Sequence, residues 1–271
     1  MTRSGSDPEA TPASEDTHAH SAEWQKILTE GHRSMVFARR FWRRVPSAPR
    51  CKVCSSPFGG IGGRFFRHVG WAPSRKNPNV CARCCDQMPV GGAEVDVAVL
   101  FADVRGSTSL GEHSTPAEFA RLLNRFYAVA TEVILRHDGL IDKLIGDEAM
   151  ALFIPGVAGP EYRSHALEAA SELLREVGYG TPEGPWLPVG VGLNAGPAFV
   201  GNVGTAVVDF TALGDAVNVA ARLQGTAGEG QLVVAADLLD GIAERLPGAE
   251  RREVEARGRG EAVPALVASY A

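Results

Sequence analysis

The chain has 271 residues, of which 45% are hydrophobic, and its formal net charge at pH 7 is −5. This length suits one good-sized domain with an appendage, and the negative charge gives no overall case for a nucleic-acid-binding protein. No apolar run reaches the roughly 20 residues that cross a bilayer, and the N-terminus lacks the charged-then-apolar pattern of a signal peptide. We therefore expect a cytoplasmic protein.

The N-terminal part divides into two segments of different composition. Residues 1–20 are rich in Ser, Thr, Pro, Asp and Glu, and we expect them to form a disordered tail. Residues 21–49 carry large apolar side chains at roughly helical spacing, together with Arg33, Arg39, Arg40, Arg43 and Arg44. A basic amphipathic helix of this kind can contact a membrane or a partner peripherally. The interpretation we favour is a helix that packs on its own chain or on a dimer mate.

Residues 50–89 contain all five cysteines. Four of them form two C-x-x-C pairs, Cys51 with Cys54 and Cys81 with Cys84, separated by a Gly- and Pro-rich interval. In a reducing cytosol such clustering favours metal binding over disulfides, and four thiolates suit structural Zn²⁺. An iron–sulfur cluster also takes four cysteines, and free thiols remain a third possibility. Cys85 could replace Cys84 as a ligand.

Two aspartates organise the remainder, residues 94–271. Asp103 ends a buried-strand pattern, and Asp147 follows a second short apolar stretch. Between them a capping box at Thr115–Glu118 begins a long helix, for which Gly139 is the expected left-handed cap. A strand, a helix and a returning strand can bring both carboxylates to one end of a sheet. Paired carboxylates imply a cation such as Mg²⁺ or Mn²⁺, unless both are unrelated turn residues.

The apolar patterns of the remaining residues predict an α+β fold. The order β-α-β-β-α-β is that of a ferredoxin-like sheet with helices on one face. The expected elements after the long helix are a hairpin of residues 140–144 and 148–154 with Asp147 at its tip, a helix at 162–177, strands at 188–193, 198–203 and 207–213, a helix at 216–224, a strand at 231–235, a weaker helix at 237–246, and closing strands at 250–256 and 262–268.

Further polar residues follow these elements. Gly106, Ser107 and Thr108 come directly after the first strand, where backbone N–H groups and hydroxyls could hold phosphate. Asn218 and Arg222 are four residues apart on one helix face and suit a group on which negative charge develops. Each signal alone is weak: Gly-rich turns are common, and an exposed polar helix face is by itself a better explanation of the second than a functional pair.

Three stretches in this order resemble the catalytic domain of class III adenylate and guanylate cyclases: Phe101–Thr108, Lys143–Glu148 and Phe210–Arg222. The resemblance covers residues 94–271. It implies an enzyme that forms a cyclic nucleotide and pyrophosphate from a nucleoside triphosphate.

The resemblance also implies roles for individual residues. Asp103 and Asp147, assisted by the Val104 carbonyl, would hold two Mg²⁺ or Mn²⁺ ions, one for the attacking ribose 3′-hydroxyl and one for the β- and γ-phosphates. Substrate would further contact Gly106, Ser107 and Thr108 at the triphosphate, Asn218 at the ribose, Arg222 at the α-phosphate and, by a looser match, Arg257 at the terminal phosphates.

Two positions select the base in this family. Adenylate-forming members carry Lys at the place of Lys143 and Asp or Thr at the place of Thr211, whereas guanylate-forming members typically carry Glu and Cys. A lysine donor suits the adenine N1 acceptor, whereas the N1–H of guanine requires an acceptor. The resemblance therefore implies an adenylate cyclase that uses ATP and belongs to the bacterial subgroup with Thr. That subgroup includes bicarbonate-responsive members, but nothing in the sequence indicates bicarbonate sensing.

In this family the metal aspartates and the Lys, Thr, Asn and Arg of one site come from different subunits. This chain holds both sets, so the resemblance implies a head-to-tail homodimer with shared sites. The alternatives are a guanylate cyclase and a catalytically silent nucleotide- or partner-binding regulator on the same fold. A nucleic-acid-binding zinc protein is disfavoured because no base-reading helix is evident. We expect the N-terminal third to regulate the cyclase domain.

Overall fold

The computed structural model describes residues 21–30, 50–59, 63–64, 71–74, 77–82, 84, 91–204, 209–240, 242–255 and 262–270. The expected tail at 1–20, the arginine-rich part of the basic helix, Cys85 and Arg257 lie outside these residues. Of the expected basic helix, Ser21–Glu30 forms a helix whose Trp24 and Leu28 are buried against the rest of the chain.

The described residues form the expected α+β fold, built on an eight-stranded sheet. Along the sheet the strand order is β2-β3-β1-β4-β6-β8-β7, and β5 pairs with β4. Among these strands β4 and β6 run parallel, and the other paired strands run antiparallel. The strands are β1 Gly91–Val104, β2 Leu140–Ile145, β3 Glu148–Phe153, β4 Val189–Val203, β5 Asp209–Leu213, β6 Gln231–Ala235, β7 Glu250–Val254 and β8 Val263–Ser269.

The helices cover both faces of this sheet, whereas the sequence pattern suggested one face. They are α1 Ser21–Glu30, α2 Ser107–Glu112, α3 Pro116–Arg136, α4 Pro155–Ala158, α5 Tyr162–Val177 and α6 Asp215–Thr226. Side chains alternate between the two faces along β1. Leu100 packs with α3 and α5, whereas Val99 packs with α1 and α6. A strand segment that is apolar at every position is typical of a sheet buried on both sides, and Val97–Ala102 of β1 has that composition.

The start of α3 follows the prediction, and its end differs. Thr115 Oγ1 accepts the Glu118 N–H at 3.3 Å, and Glu118 accepts the Thr115 N–H at 3.0 Å, so the capping box is present. After Arg136, Asp138 takes the left-handed conformation with φ 62° instead of Gly139. Gly139 instead allows the chain to pack closely against Ile134, because a Cβ there would lie 2.6 Å from Ile134 Cγ2.

Two other expected elements are corrected. The two strands expected at 188–193 and 198–203 are one continuous strand, Val189–Val203, because β1 pairs along nearly all of it. The helix expected at 237–246 is replaced by two short 3₁₀ helices, Ala236–Leu239 and Ala243–Arg245. Gly241, a poor helix former, lies in the sequence between them.

The approach of α6 to the sheet depends on Gly192 of β4. A Cβ at this position would lie 2.1 Å from the backbone nitrogen of Gln224 and 2.5 Å from its Cα. Those atoms belong to the backbone of α6 and cannot rotate away. The absence of a side chain at Gly192 therefore fixes the distance between β4 and the helix that carries Asn218 and Arg222.

We expect Gly192→Ala to lower the free energy of unfolding by about 1–3 kcal/mol, because α6 must move away from β4. Urea denaturation of the variant and the wild type measures this difference. Gly196→Ala is the matched control on the same strand, since its Cβ would meet Ala216 Cβ at an ordinary 3.4 Å. The control should change stability by less than about 0.5 kcal/mol; equal losses in the two variants would contradict the close-approach argument.

Candidate active site and cysteine cluster

The predicted metal-binding residues meet where β1 ends beside the β2–β3 turn. Asp103 is paired with Glu148 in the sheet register, and Asp147 lies in the two-residue turn that joins β2 to β3. The Val104 N–H donates to the Asp147 carbonyl oxygen at 3.2 Å. The structure thus brings Asp103, Val104 and Asp147 together, as the sequence spacing predicted.

The β2–β3 turn is held by a tyrosine that the sequence analysis did not identify. The Tyr127 hydroxyl, from α3, donates to the Gly146 carbonyl oxygen at 2.5 Å. Gly146 has φ 62°, a conformation that favours glycine. Burial, together with the charge of Asp147, raises the pKa of Tyr127, so this hydroxyl keeps its proton and remains a donor. Tyr127 therefore fixes the turn on which Asp147 stands.

Two of the three carboxylates at this edge, those of Asp103 and Glu148, have a raised pKa. Burial raises the pKa of Asp103, Arg105 lowers it and Asp147 raises it, and the net result is a raised pKa. Burial and the charges of Asp103 and Asp147 also raise the pKa of Glu148. A divalent cation would relieve this repulsion, and carboxylate oxygens are the ligands that Mg²⁺ and Mn²⁺ prefer. The residues present therefore fit such an ion.

Arg105 is a further residue of this site that sequence reasoning missed. Its Nη2 donates to Asp103 Oδ2, and its Nη1 donates to the Ala227 carbonyl oxygen at 3.4 Å. Arg105 follows β1 directly and is two residues from Asp103, so the short separation of these opposite charges carried a signal for this pair. The guanidinium occupies one oxygen of Asp103 and offsets part of the local negative charge.

The proposed phosphate-contacting residues follow β1 directly. Gly106 takes φ 66° and precedes α2, whose first residues are Ser107 and Thr108. The Gly106 carbonyl oxygen accepts the Leu110 N–H at 3.0 Å. Ser107 is half-buried and Thr108 is exposed. The left-handed conformation of Gly106 is what turns the chain from the strand into the helix beside Asp103.

The two predicted base-selecting residues, Lys143 and Thr211, are in direct contact. Lys143 Nζ donates to Thr211 Oγ1 at 2.7 Å, and the Thr211 hydroxyl donates to Asp142 Oδ2 at 3.0 Å. Lys143 Nζ also lies 3.2 Å from a carboxylate oxygen of Asp142 and 3.2 Å from one of Asp209. Neither aspartate was singled out from the sequence, although Asp142 is a carboxylate within an apolar strand.

The two carboxylates keep Lys143 charged. Burial by itself lowers the pKa of Lys143, but the negative charges of Asp142 and Asp209 outweigh that cost and raise the pKa. The ammonium group is therefore a hydrogen-bond donor at neutral pH.

Asn218 and Arg222 lie one turn apart on α6, as predicted. Ala216, Val219, Ala220 and Leu223 bury the opposite part of this helix against the sheet. Asn218 is exposed and Arg222 is half-buried. Both side chains are thus positioned by the close packing of α6 on β4, and Arg257 lies outside the described residues.

The four predicted cysteine ligands form one cluster. The sulfur atoms of Cys51, Cys54, Cys81 and Cys84 all lie within 4.8 Å of one another, and those of Cys54 and Cys81 are 3.7 Å apart. Tetrahedral coordination with metal–sulfur bonds of about 2.3 Å places sulfurs about 3.8 Å apart. The geometry therefore fits a four-thiolate metal site.

Backbone amides support this cluster. The N–H groups of Cys54 and Cys81 donate to Cys51 Sγ at 3.4 and 3.3 Å, and the Cys84 N–H donates to Cys81 Sγ at 3.4 Å. The neighbouring cysteines lower the pKa of Cys54 and raise the pKa of Cys81 and Cys84, so the four thiols do not ionise independently.

Within the described part of the chain, the helices lack the length and apolarity that a membrane span requires.

Comparison with known families gives a match over most of the chain. The family model described as the adenylate and guanylate cyclase catalytic domain matches residues 92–267. Its span contains the described catalytic candidates, from Asp103 to Arg222, and begins after the cysteine cluster.

Similar solved structures include cyclases of both base specificities. The guanylyl cyclase Cya2 aligns with a TM-score of 0.58 and 27% identity, over 64% of this chain and 91% of that one. The adenylyl cyclase CyaB from P. aeruginosa aligns with a TM-score of 0.55 and 25% identity, over 65% of this chain and 95% of that one. These likenesses support a nucleotide cyclase domain and do not choose between ATP and GTP.

Among curated proteins, an uncharacterized protein of Mycobacterium tuberculosis is 34% identical over 204 residues, which is 73% of this chain and 36% of that protein. A second uncharacterized protein of the same organism is 36% identical over 165 residues, which is 59% of this chain and 27% of that protein. The chain thus spans about a third of the length of the curated relatives it matches.

Proposed function

The chain belongs to the family of adenylate and guanylate cyclase catalytic domains, and from this premise we propose that it converts ATP to cyclic AMP and pyrophosphate. The observation that carries the choice of ATP is the contact between Lys143 and Thr211. A catalytically silent regulator on the same fold is disfavoured because every described catalytic position holds a functional residue.

The hydrogen-bonding state of this pair matches the edge of adenine. The Thr211 hydroxyl donates a hydrogen bond to Asp142, so its oxygen acts as an acceptor; it accepts from Lys143, and its second lone pair would suit the adenine N6 amino group. Lys143 is a charged donor and suits the adenine N1 acceptor. Guanine presents the reverse pattern, an O6 acceptor and an N1–H donor.

One observation favours guanylate cyclase as the second candidate. Asp209, whose side chain is 43% exposed, lies 3.2 Å from Lys143 Nζ. Its carboxylate could accept the N1–H of guanine while Lys143 donates to O6. The ATP assignment therefore depends on Thr211 and Lys143 contacting the base more closely than Asp209 does.

The catalytic roles follow the family resemblance. Asp103 and Asp147 would hold two Mg²⁺ or Mn²⁺ ions, which, when bound, activate the ribose 3′-hydroxyl and neutralise the phosphates. Arg222 would stabilise the charge that develops at the α-phosphate, and Asn218 would orient the ribose. Gly106, Ser107 and Thr108 would lie against the triphosphate.

We further propose a head-to-tail homodimer with shared sites. Three large apolar side chains are exposed beside the base-selecting pair: Leu144 at 40% and Ile145 at 59% follow Lys143 on β2, and Leu213 at 49% follows Thr211 on β5. Exposed apolar side chains grouped beside a polar site are typical of an interface. A second copy that packs against these side chains would bring its own Asp103 and Asp147 towards Lys143.

For the cysteine cluster we propose structural zinc, with an iron–sulfur cluster as the alternative. The described segments around the cysteines contain turns and isolated bridges rather than long strands or helices. Such a segment gains much of its folding free energy from the metal.

The first prediction concerns turnover. With Mg²⁺ or Mn²⁺ the protein should form cyclic AMP from ATP, and Asp103→Ala should lower kcat/KM at least about a hundredfold, since even groups outside the metal's ligand set contribute 10–100-fold. Asp240→Ala, which removes an exposed aspartate of a loop, is the control. Higher turnover of GTP than of ATP would replace the proposal with guanylate cyclase, and absence of product from both would favour the silent regulator.

The second prediction concerns the shared site. A mixture of Asp103→Ala and Arg222→Ala protein should regain up to about a quarter of wild-type activity, because about half the dimers are mixed and each has one intact site. The matched control mixes Asp103→Ala with Asp147→Ala, which remove residues of the same half-site and should stay inactive. Equal recovery in both mixtures, or recovery in neither, would contradict the shared site.

The third prediction concerns the cysteine cluster. Elemental analysis should find about one Zn²⁺ per chain, and Cys54→Ser should lose it, because a structural site needs four ligands. Cys85→Ser keeps the four clustered cysteines and should retain the metal. Iron with visible absorbance would replace zinc by an iron–sulfur cluster.

A further inference from the structure

The cysteine module, meaning the described residues between 50 and 84, is joined to the catalytic domain by a two-point contact. Asn77 Nδ2 donates to the Ile141 carbonyl oxygen at 3.1 Å, and the Ile141 N–H donates to Asn77 Oδ1 at 2.7 Å. Asn77 is 3% exposed. One side-chain amide thus serves both main-chain groups of a β2 residue, as a neighbouring strand would.

Asn77 is in turn tied to the cysteine cluster. The Asn77 carbonyl oxygen accepts the Val80 N–H at 2.8 Å, and the next residue is the candidate ligand Cys81. The Cys81 N–H donates to Cys51 Sγ at 3.3 Å. A single tight turn therefore separates the amide that contacts β2 from the centre of the cluster, and the cluster determines where that amide lies.

On the β2 side, the contact falls at an irregularity of the strand. The register with β3 shifts between Ile141 and Lys143, which makes Asp142 the extra residue of a bulge. Bulges re-aim the side chains around them. Here the bulge directs the Asp142 carboxylate, which is fully buried, towards Thr211 and Lys143. Asn77 holds the backbone at the residue where this bulge begins.

We propose that Asn77 is a positioning residue through which the cysteine cluster sets the place of Lys143, so that an intact cluster strengthens recognition of the nucleotide base. This inference rests on the proposed role of Lys143 and Thr211. Asn77 fixes the β2 backbone, and Lys143 contacts the base. Loss of the Asn77 amide leaves the bulge unsupported, and Lys143 then spends less time beside Thr211. Such a change weakens substrate binding and leaves the chemical step at the α-phosphate unaltered.

The module offers a matched control for this idea. Asn79 Nδ2 donates to the Leu135 carbonyl oxygen at 2.7 Å, near the end of α3. Lys52 forms an ion pair with Asp138 in the same region. Asn79 thus joins the same module to the same domain with an amide hydrogen bond, but its partner lies on α3 and not on the strand of Lys143.

The experiment compares Asn77→Ala and Asn79→Ala in the full chain. Asn77→Ala should raise KM for ATP roughly tenfold, as the loss of one positioning contact predicts, and keep kcat within about twofold. It should retain its metal by elemental analysis and show faster amide hydrogen exchange in residues 140–145. Asn79→Ala should change neither KM nor that exchange.

A double-mutant cycle identifies the residue through which Asn77 acts. In a Lys143→Ala background, Asn77→Ala should cause no further rise in KM, because the side chain that it positions is already absent. A full tenfold rise in that background would overturn the proposal. So would an unchanged KM and exchange rate in Asn77→Ala alone, or an equal rise in Asn79→Ala.

The readouts separate this inference from the proposed function. If GTP is the substrate, the same KM comparison is made with GTP. Amide exchange in β2 needs neither turnover nor nucleotide: unchanged exchange in Asn77→Ala overturns the inference even in an active cyclase. Faster exchange in a protein that forms no cyclic nucleotide would leave the link from Asn77 to β2 standing and overturn the proposed function alone.

Discussion

The antiparallel pairing of β1 with β4 is the constraint on which the rest of the domain depends. Fourteen residue pairs join Gly91–Val104 to Val189–Asn202 in an unbroken register. At one end of this ladder β1 delivers Asp103 to the β2–β3 turn. Along it β4 presents Gly192 to α6, and at its other end β4 pairs with β5 and so positions Thr211. Asp103, Thr211 and the helix that carries Asn218 and Arg222 thus take their places from one long pair of strands.

The site at the end of β1 and the site around Lys143 differ in their arrangement of charges. At the end of β1, three carboxylates and one arginine leave an excess of negative charge, which calls for a cation. At Lys143, a cation lies between two carboxylates and is held in its charged form. The first arrangement suits phosphates carried with metal ions, and the second suits the polar edge of a neutral base. The proposed two-fold dimer would combine one arrangement of each kind in every shared site.

The sequence was informative for several features that depend on neighbours along the chain. The capping box of α3, the β2–β3 hairpin with Asp147 at its turn, and the C-x-x-C pairs are local patterns, and each appears in the structure. The continuity of β4 could not be seen locally, because it depends on pairing with the distant β1. Asn77 and Ile141, 64 residues apart, carry no pattern that links them. The resemblance to cyclases supplied the roles of Lys143 and Thr211, which their residue types alone did not.

The position of Asn77 has a consequence for how the protein behaves among its own copies. The strand β2 lies at the end of the sheet order, where a row of unpaired N–H and C=O groups would invite pairing with another chain. The amide of Asn77 occupies both groups of Ile141 and covers that row near the start of the strand. The cysteine module therefore also protects an edge strand, and a chain whose cysteine cluster came apart would expose a surface prone to aggregation.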